Sequence, residues 1–403
     1  MLARTLARTS LHIMALSLFF ILLFAPAPCN GLPREVGETV EKPTISASSA
    51  VVIEASTGRV IYEKNAEERR SPASMTKIMT CILGLEVLSP EDTVVISPSV
   101  ALTEDNYFDW KPGDRITADE LMQAMMLVSD NGAAVAVAQQ VSGTVPLFSE
   151  KMNKKARELG CKDTNFANPN GLPNPNHFST AKDMAKIAAY AMKMEDFRDI
   201  VDDRQGTIQW TRPAGKSEEV ENTNHLLGNF FGATGIKTGW TIAAGGCLAA
   251  SAKRNGIELI AIVMNSEDSY TRFEDAKKLL DYGFTQVHSY KALDKNREER
   301  KIWVSGGTSA TLHVGPAEDV VYPLFQGERA SHYSISYDLP FIVDAEIKEG
   351  QKVGELIVKY NDEPVIRIPV TARETVPEGF SLSSFAVGIM AKLVPLWTAM
   401  GLM

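Results

Sequence analysis

Cysteine and clustered metal ligands are scarce in this sequence. Only four cysteines occur among 403 residues, Cys29, Cys81, Cys161 and Cys247, and none stands in a CxxC or paired-histidine spacing. An HExxH motif is missing as well, so we expect neither a metal site nor a cofactor. Scattered cysteines, three of which follow residue 29, predict buried free thiols rather than a disulfide framework.

A concentrated basic stripe is also missing. The net charge is −9, so nucleic acid is not an expected partner. Hydrophobic residues make up 44% of the chain and charged residues 23%, a composition that is typical of globular proteins and argues against disorder. A chain of 403 residues is too long for one ordinary core, so we expect two folded units.

The first residues of the chain indicate export. Arg4 and Arg8 precede an apolar run over residues 13–24, and small residues and prolines follow at 25–28. A basic start, a short apolar run and an Ala-x-Ala-like site are typical of a secretory signal peptide, which we place at residues 1–29. The alternative is an uncleaved N-terminal anchor, although the apolar run is short for a membrane span.

Hydrophobic periodicity predicts strands at both ends of the next region and helices between them. The predicted strands cover residues 50–55, 60–63, 245–252 and 258–263. The predicted helices begin near Ser71 and at residues 118, 180 and 271, and the last ends at Gly283, a favourable residue after a helix. Ser71 fits a helix N-cap and Pro72 fits the first helical position. This order predicts an α+β sheet-and-helix domain over residues 44–289.

Beyond residue 290 the pattern changes to short β-type stretches that are separated by turn signals. Such stretches lie at residues 302–304, 310–314, 353–360 and 365–370. No helical period appears among them. They predict a small all-β domain, of the sandwich type, over residues 290–376.

The last segment, residues 380–403, is apolar and amphipathic. At helical spacing one face collects Phe385, Ile389, Leu393, Leu396, Trp397 and Met400. The other face collects Ser384, Gly388, Lys392, Pro395 and Thr398. We interpret the segment as a helix that lies in the membrane surface and attaches the protein there. A spanning helix is the alternative, since the length is sufficient.

The first motif with chemical content is Ser74-x-x-Lys77. At this spacing on a helix the two side chains share one face, and Ser74 would lie in the first turn, where free N–H groups favour negative charge. A serine hydroxyl is a poor nucleophile until a base removes its proton. Lys77 can be that base if burial or a neighbouring cation keeps it partly neutral. Alone, the motif also fits a solvated helical pair.

The second motif is Ser129-x-Asn131, at a break within a helical region. The Ser129 hydroxyl can relay a proton between Lys77 and a leaving amine. The Asn131 amide can hold the lysine and donate to a substrate carbonyl. A loop that ends a helix explains the same residues.

The third motif is Lys237-Thr238-Gly239. On an edge strand its backbone can pair with an extended peptide, and Gly239 permits close approach. Lys237 offers positive charge to a carboxylate and disfavours protonation of Lys77. Alone, the motif also fits a turn before a strand. The three motifs together, in this order and within one domain, indicate one common site.

The set of Ser-x-x-Lys, Ser-Asp-Asn and Lys-Thr-Gly resembles that of penicillin-binding proteins and serine β-lactamases. Longer runs resemble low-molecular-mass penicillin-binding proteins with D-alanyl-D-alanine carboxypeptidase activity; these are residues 71–80, 166–172, 177–181 and 235–241. The similarity covers about residues 50–284, and the β domain and terminal helix match the layout of that family. The resemblance implies a penicillin-binding/β-lactamase-like catalytic domain over residues 44–289.

The resemblance also implies an acyl-enzyme mechanism on peptidoglycan pentapeptides, with β-lactams as covalent inhibitors. Ser74 would attack the D-alanyl-D-alanine carbonyl with Lys77 as general base. Ser129 and Asn131 would help to transfer the proton to the departing D-alanine. The backbone N–H groups of Ser74 and Trp240 would hold the oxyanion.

The same resemblance implies the substrate-binding residues and the location. Lys237 and Thr238 would bind the terminal carboxylate beside Gly239. Some members of the family have His where this chain has Trp240, which alters contacts at the rim. Arg272 stands where the family often has an arginine near that carboxylate, and a surface arginine is the alternative. The expected location is the outer face of the bacterial cytoplasmic membrane, with peripheral attachment.

Three rival activities need to be weighed. A class A β-lactamase deacylates with a glutamate, but no Glu-x-x-Leu-Asn run lies between the second and third motifs. A sensor that is acylated without turnover is disfavoured by the complete set of motifs and by the lack of a cytoplasmic signalling domain. An endopeptidase that cuts peptidoglycan cross-links stays open.

Overall fold

A five-stranded antiparallel sheet forms the centre of the larger part of the structure, a computed structural model that describes residues 41–297 and 299–388. Its strands are β1 (Ser49–Glu54), β2 (Val60–Lys64), β7 (Ala233–Thr241), β8 (Gly245–Arg254) and β9 (Ile257–Ser266). Their spatial order is β2-β1-β9-β8-β7, so β7 is an edge strand. Val51 and Ile53 join one apolar core and Ala50 and Val52 the other, because successive side chains of a strand alternate between faces.

Helices cover both faces of this sheet. They are α1 (Lys77–Leu85), α2 (Pro98–Ala101), α3 (Ala118–Leu127), α4 (Asn131–Ser142), α5 (Val145–Glu158), α6 (Ala181–Ala191), α7 (Glu195–Asp202) and α8 (Thr271–Gln286). Helix α1 is central, since every residue from Lys77 to Gly84 is buried. The α+β architecture and the helices predicted to begin at residues 118, 180 and 271 are confirmed.

The start of the central helix differs from the prediction. Residues Ala73–Thr76 form a 3-10 turn that precedes α1, and its N-cap is Pro72 with no side-chain hydrogen bond. Ala73 has φ 47°, in the left-handed region, so a regular helix cannot run through it from Ser71. The predicted N-cap at Ser71 is therefore wrong, and Ser74 lies on a tight turn ahead of the helix.

Helix α8 does not end at Gly283, as predicted, but continues to Gln286. Gly283 is buried, and a Cβ atom there would lie 2.7 Å from the Leu259 side chain. The glycine thus lets the helix pack closely on the sheet and has no role in ending it.

A second, small sheet and the helices α2, α5 and α7 have no counterpart in the sequence-based prediction. The sheet has the order β3-β4-β5-β6, with β3 (Thr93–Val95), β4 (Arg115–Thr117), β5 (Gln205–Arg212) and β6 (Ser217–Glu221). These strands are short or mostly exposed, so each carries little hydrophobic signal.

The C-terminal part of the described chain is an all-β domain, as predicted. Its strands are β10 (Val287–Leu293), β11 (Arg300–Ser305), β12 (Thr311–Pro316), β13 (Val320–Phe325), β14 (Tyr333–Asp338), β15 (Ile342–Asp344), β16 (Lys352–Tyr360) and β17 (Glu363–Ala372). One sheet has the order β14-β16-β17-β12-β11-β15, and β10 pairs with β13 in the other. Three of the four stretches predicted from the sequence fall within β11, β16 and β17, and the stretch at 310–314 overlaps β12.

A short helix over residues 382–388 follows this domain. The Ser384 hydroxyl is buried and donates to the Gly307 carbonyl at 2.6 Å, whereas Phe385 is 56% exposed. The rest of the predicted amphipathic segment and the predicted signal peptide lie outside the described residues. Across residues 41–297 and 299–388, no helix has the length and hydropathy that a membrane crossing requires.

Candidate active site

Ser74 lies where a turn, a loop and an edge strand meet. A Cβ atom at Gly239 of strand β7 would lie 3.0 Å from the Ser74 amide nitrogen, and one at Gly171 would lie 3.0 Å from the same atom. Neither position has room for a side chain. The two glycines therefore allow the strand and the loop to close on the serine backbone.

The Lys77 amine is buried next to Ser74 and has three partners. Its Nζ lies 2.9 Å from Ser74 Oγ, 2.7 Å from Asn131 Oδ1 and 2.8 Å from the Asn170 carbonyl oxygen. Burial lowers the pKa of Lys77 to about 7, and the negative charge of Asp130 opposes that shift. A large fraction of the lysine is therefore neutral near pH 7 and able to accept a proton.

Asn131 is held by two backbone carbonyls. Its Nδ2 donates to the Glu104 carbonyl at 3.0 Å and to that of Asp105 at 3.3 Å. This orientation turns Oδ1 toward Lys77, so the predicted contact between the two side chains is present. The amide hydrogens that were expected to reach a substrate carbonyl contact the protein instead.

Ser129 adopts a left-handed backbone conformation, with φ 65°, and is half-buried. Its position directly between helices α3 and α4 confirms the predicted helix break. No hydrogen bond of its hydroxyl to another described residue is present. Its predicted part in proton transfer therefore stays a prediction.

Asp130, between these two residues, has a structural importance that the sequence analysis missed. Its buried carboxylate accepts hydrogen bonds from four N–H groups, those of Tyr107 N (2.7 Å), Phe108 N (3.0 Å), Trp110 Nε1 (2.9 Å) and Ala133 N (2.6 Å). It thereby caps helix α4 and ties the 104–110 loop to Asn131. The available signal was an aspartate directly before a helix.

Strand β7 brings Lys237 to the same site. Lys237 is 1% exposed, and its Nζ contacts no hydrogen-bond acceptor in the part of the chain that the structure describes. Burial lowers its pKa well below the usual range, and the charges of Lys77 and Arg272 lower it further. Because an unpaired buried amine is unfavourable, this position is suited to an anionic ligand.

Thr238 is linked to a residue that no motif indicated. Its Oγ1 lies 2.7 Å from Thr223 Oγ1, and the Thr223 hydroxyl lies 3.1 Å from the Leu127 carbonyl oxygen. Leu127 ends helix α3, two residues before Ser129. Thr223 therefore connects the strand of the third motif with the helix that leads into the second.

Trp240 and Arg272 occupy opposite environments. Trp240 is 52% exposed, in agreement with a place at the rim. Arg272 is buried, which excludes the alternative of a surface arginine, and its Nη1 donates to the Gly239 carbonyl at 2.7 Å. Arg272 thus holds the strand of the third motif by its backbone.

A buried histidine supports the turn that carries Ser74. The Ala167 amide donates to His177 Nδ1 at 3.1 Å, so His177 Nε2 carries the proton and donates to Thr76 Oγ1 at 2.7 Å. The Thr76 hydroxyl in turn donates to the Ala73 carbonyl at 2.7 Å. Burial, and then the charge of Lys77, lower the pKa of His177 to about 4, so the ring stays neutral.

Within the described ranges, no group of three or more His, Cys, Asp and Glu residues is arranged to hold a metal ion.

The three cysteines in the described ranges, Cys81, Cys161 and Cys247, are buried free thiols, as predicted. Burial raises the pKa of Cys247 to about 11, so this thiol, which lies 3.8 Å from the Ser71 carbonyl, is protonated near pH 7.

Known protein families match both parts of the described chain. The sequence pattern of the D-alanyl-D-alanine carboxypeptidase family matches residues 36–268, and that of the penicillin-binding protein 5 C-terminal domain matches residues 288–378. D-alanyl-D-alanine carboxypeptidase DacF of Bacillus subtilis is 33% identical over 88% of this chain and 91% of its own. DacC of Escherichia coli is 29% identical over 89% of this chain and 90% of its own.

Solved structures show the same relationship. The D-alanyl-D-alanine carboxypeptidase DacD from Francisella tularensis superposes with a TM-score of 0.61 at 27% identity, over 87% of this chain and 99% of that one. Penicillin-binding protein 5 from Haemophilus influenzae superposes with a TM-score of 0.60 at 28% identity, over 84% of this chain and 100% of that one. Both coverages include the catalytic and β parts of the fold.

Proposed function

The chain belongs to the D-alanyl-D-alanine carboxypeptidase family, and we propose that Ser74 is its nucleophile and Lys77 its general base. As a member it is a serine hydrolase that removes the terminal D-alanine from peptidoglycan peptides through an acyl-enzyme, and β-lactams acylate the same site. The residue roles rest on one observation above all, the three contacts of the Lys77 amine.

The contacts of Lys77 leave only one direction for its lone pair when the amine is neutral. A neutral amine has two N–H groups, and two of its partners, Asn131 Oδ1 and the Asn170 carbonyl, only accept hydrogen bonds. The lone pair therefore faces Ser74 Oγ at 2.9 Å, where it can accept the hydroxyl proton. This is the arrangement that a lysine base requires.

Acylation joins the substrate to Ser74 and releases D-alanine. Ser74 Oγ bonds to the carbonyl carbon of the scissile peptide bond while its proton moves to Lys77. The backbone N–H groups of Ser74 and Trp240 hold the oxyanion, each contributing about 3 kcal/mol. As the C–N bond breaks, the proton passes from Lys77 through Ser129 to the nitrogen of the departing D-alanine.

In deacylation a water molecule is the nucleophile and Ser74 is the leaving group. Lys77 takes a proton from the water that attacks the ester, the bond to Ser74 Oγ breaks, and the proton returns to the serine. Asn131 keeps Lys77 in place through both halves of the reaction, since its own amide is fixed by the Glu104 and Asp105 carbonyls.

Lys237 and Thr238 bind the terminal carboxylate of the substrate. The buried Lys237 amine gains in the carboxylate the partner that it otherwise lacks among the described residues. Gly239 keeps the strand close enough to Ser74 for a peptide to span both. Arg272 acts on this subsite through the Gly239 carbonyl and by its positive charge.

The enzyme works outside the cytoplasm, attached to the membrane surface. Residues 1–29 direct export, residues 44–289 are the catalytic domain, residues 290–376 the β domain and residues 380–403 the anchor. Support for the anchor comes from its described beginning, where Ser384 faces the β domain and Phe385 faces away from it. Phe380 and Leu382, both strongly exposed, extend this apolar surface.

The experiment that tests the residue roles is Ser74→Ala. We expect no covalent penicillin label on this variant and an unchanged circular dichroism spectrum, whereas Ser71→Ala, three residues earlier, keeps the label. Persistent labelling of the Ser74 variant would show that Ser74 is not the nucleophile. Mass spectrometry of a pentapeptide digest should show loss of one D-alanine; acylation without that loss would indicate a sensor, and cleavage of cross-linked peptides an endopeptidase.

A further inference from the structure

Thr223 lies beside the carboxylate subsite and shares its hydroxyl between two partners. The Leu127 carbonyl can only accept a hydrogen bond, so the Thr223 hydroxyl donates its single hydrogen to it at 3.1 Å. The bond of 2.7 Å between Thr223 Oγ1 and Thr238 Oγ1 must then be donated by Thr238. In this state the Thr238 hydrogen points toward Thr223 and is not available to a ligand.

Binding of a carboxylate requires the opposite arrangement. A carboxylate only accepts hydrogen bonds, so Thr238 must turn its hydrogen toward the ligand. Thr223 can then donate to Thr238, because the Leu127 carbonyl keeps a second partner, the Thr223 backbone N–H at 3.0 Å. A hydroxyl that accepts one hydrogen bond donates a stronger one, since neighbouring bonds polarise each other.

We propose that Thr223 is a hydrogen-bond switch and a positioning residue, which turns from the Leu127 carbonyl to Thr238 when the substrate carboxylate binds. The proposal rests on the assignment of Thr238 to that carboxylate. Thr223 does not touch the substrate; it decides which way the Thr238 hydroxyl points. The Thr223 hydroxyl also connects strand β7 with the end of helix α3. Binding of substrate to β7 therefore changes a hydrogen bond at the segment that leads to Ser129.

The test is a double-mutant cycle on the full-length enzyme with a D-alanyl-D-alanine peptide. Thr223→Val keeps the shape and removes the hydroxyl, so kcat/KM should fall about tenfold, mainly through KM. Thr223→Ser keeps the hydroxyl and should stay within about twofold of the wild type. Because Thr223 acts only through Thr238, the double variant with Thr238→Val should be no worse than Thr238→Val alone.

The outcomes separate the switch from the residue roles proposed above. Unchanged kcat/KM in Thr223→Val, or losses that multiply in the double variant, would overturn the switch. A fall in kcat rather than KM, together with a lower Tm that Thr223→Ser shares, would show a structural role and also overturn it. If Thr238→Val itself keeps wild-type kcat/KM, the assignment of Thr238 to the carboxylate fails, whatever Thr223→Val does.

Discussion

Replacing Asp130 by asparagine should destabilise the fold strongly. One carboxylate oxygen accepts from Trp110 Nε1 and Ala133 N, and the other from Tyr107 N and Phe108 N. An asparagine has only one oxygen, so in either orientation two N–H groups face an amide NH2 instead of an acceptor. Each unsatisfied group costs about 1–3 kcal/mol, so the free energy of unfolding should decrease by about 2–6 kcal/mol.

The same substitution should also change the pH dependence of acylation. Asp130 raises the pKa of Lys77 by its negative charge, against the larger effect of burial. In the mechanism proposed above Lys77 must be neutral to accept the Ser74 proton, so the acylation rate should rise as the pH passes the Lys77 pKa of about 7. Removal of the Asp130 charge lowers that pKa, so the rise of the acylation rate with pH should begin at lower pH in the variant.

Both effects can be measured on one variant. Urea unfolding followed by circular dichroism gives the free energy of unfolding. The rate of penicillin acylation, measured as a function of pH, gives the pH at which that rate rises. Asp109→Asn is the matched control, because Asp109 lies exposed in the 104–110 loop and its carboxylate pairs with the exposed Lys111; the free energy of unfolding of this variant should stay close to that of the wild type. Two results would contradict these roles of Asp130: an Asp130→Asn variant as stable as this control, or a rise of the acylation rate at the same or a higher pH than in the wild type.

Two further predictions concern His177 and the C-terminal segment. The pKa of His177 falls from 6.5 in the unfolded chain to about 4 in the folded protein. Between these two pH values only the unfolded chain binds a proton at this residue. The free energy of unfolding should therefore decrease by about 3 kcal/mol as the pH falls from 6.5 to about 4. In urea unfolding measured at several pH values, His177→Gln should reduce this dependence of stability on pH, whereas replacement of the exposed His288 by glutamine should not. An unchanged pH dependence in His177→Gln would contradict the burial of a neutral His177. Deletion after Gly379 should yield a soluble enzyme that still binds penicillin, and a truncated protein that stays in the membrane fraction shows that the segment is not the anchor.

The fold could be predicted where hydrophobic periodicity is strong. Strands β8 and β9 are buried at most of their positions, and their apolar runs were evident in the sequence. Strand β3, of three residues, has one buried side chain, and nothing distinguishes such a segment from a loop. The error at Ser71 has another origin, because the left-handed conformation of Ala73 is imposed by tertiary contacts and not by its own preference.

The candidate site was predictable as far as its motifs extend. Ser74, Lys77 and Asn131 are brought into hydrogen-bond contact, although 54 residues separate the lysine from the asparagine. Asn170 and Thr223 were missed because their contributions are a backbone carbonyl and a hydroxyl bonded to another hydroxyl. Neither contribution has a residue-specific signature, so only the folded geometry reveals them.

Burial of Lys237 gives a physical reason for the preference of this enzyme for a chain terminus. In water an amine is solvated whether or not a carboxylate is near, but at 1% exposure its charged form depends on a partner supplied by the ligand. A peptide that continues past the scissile bond without a nearby carboxylate would enclose that amine without compensation. With the roles proposed above for Lys237 and Thr238, a peptide that ends there supplies that carboxylate and stabilises the positive charge of Lys237. The proposed selectivity for a chain terminus therefore follows from the burial of the Lys237 amine.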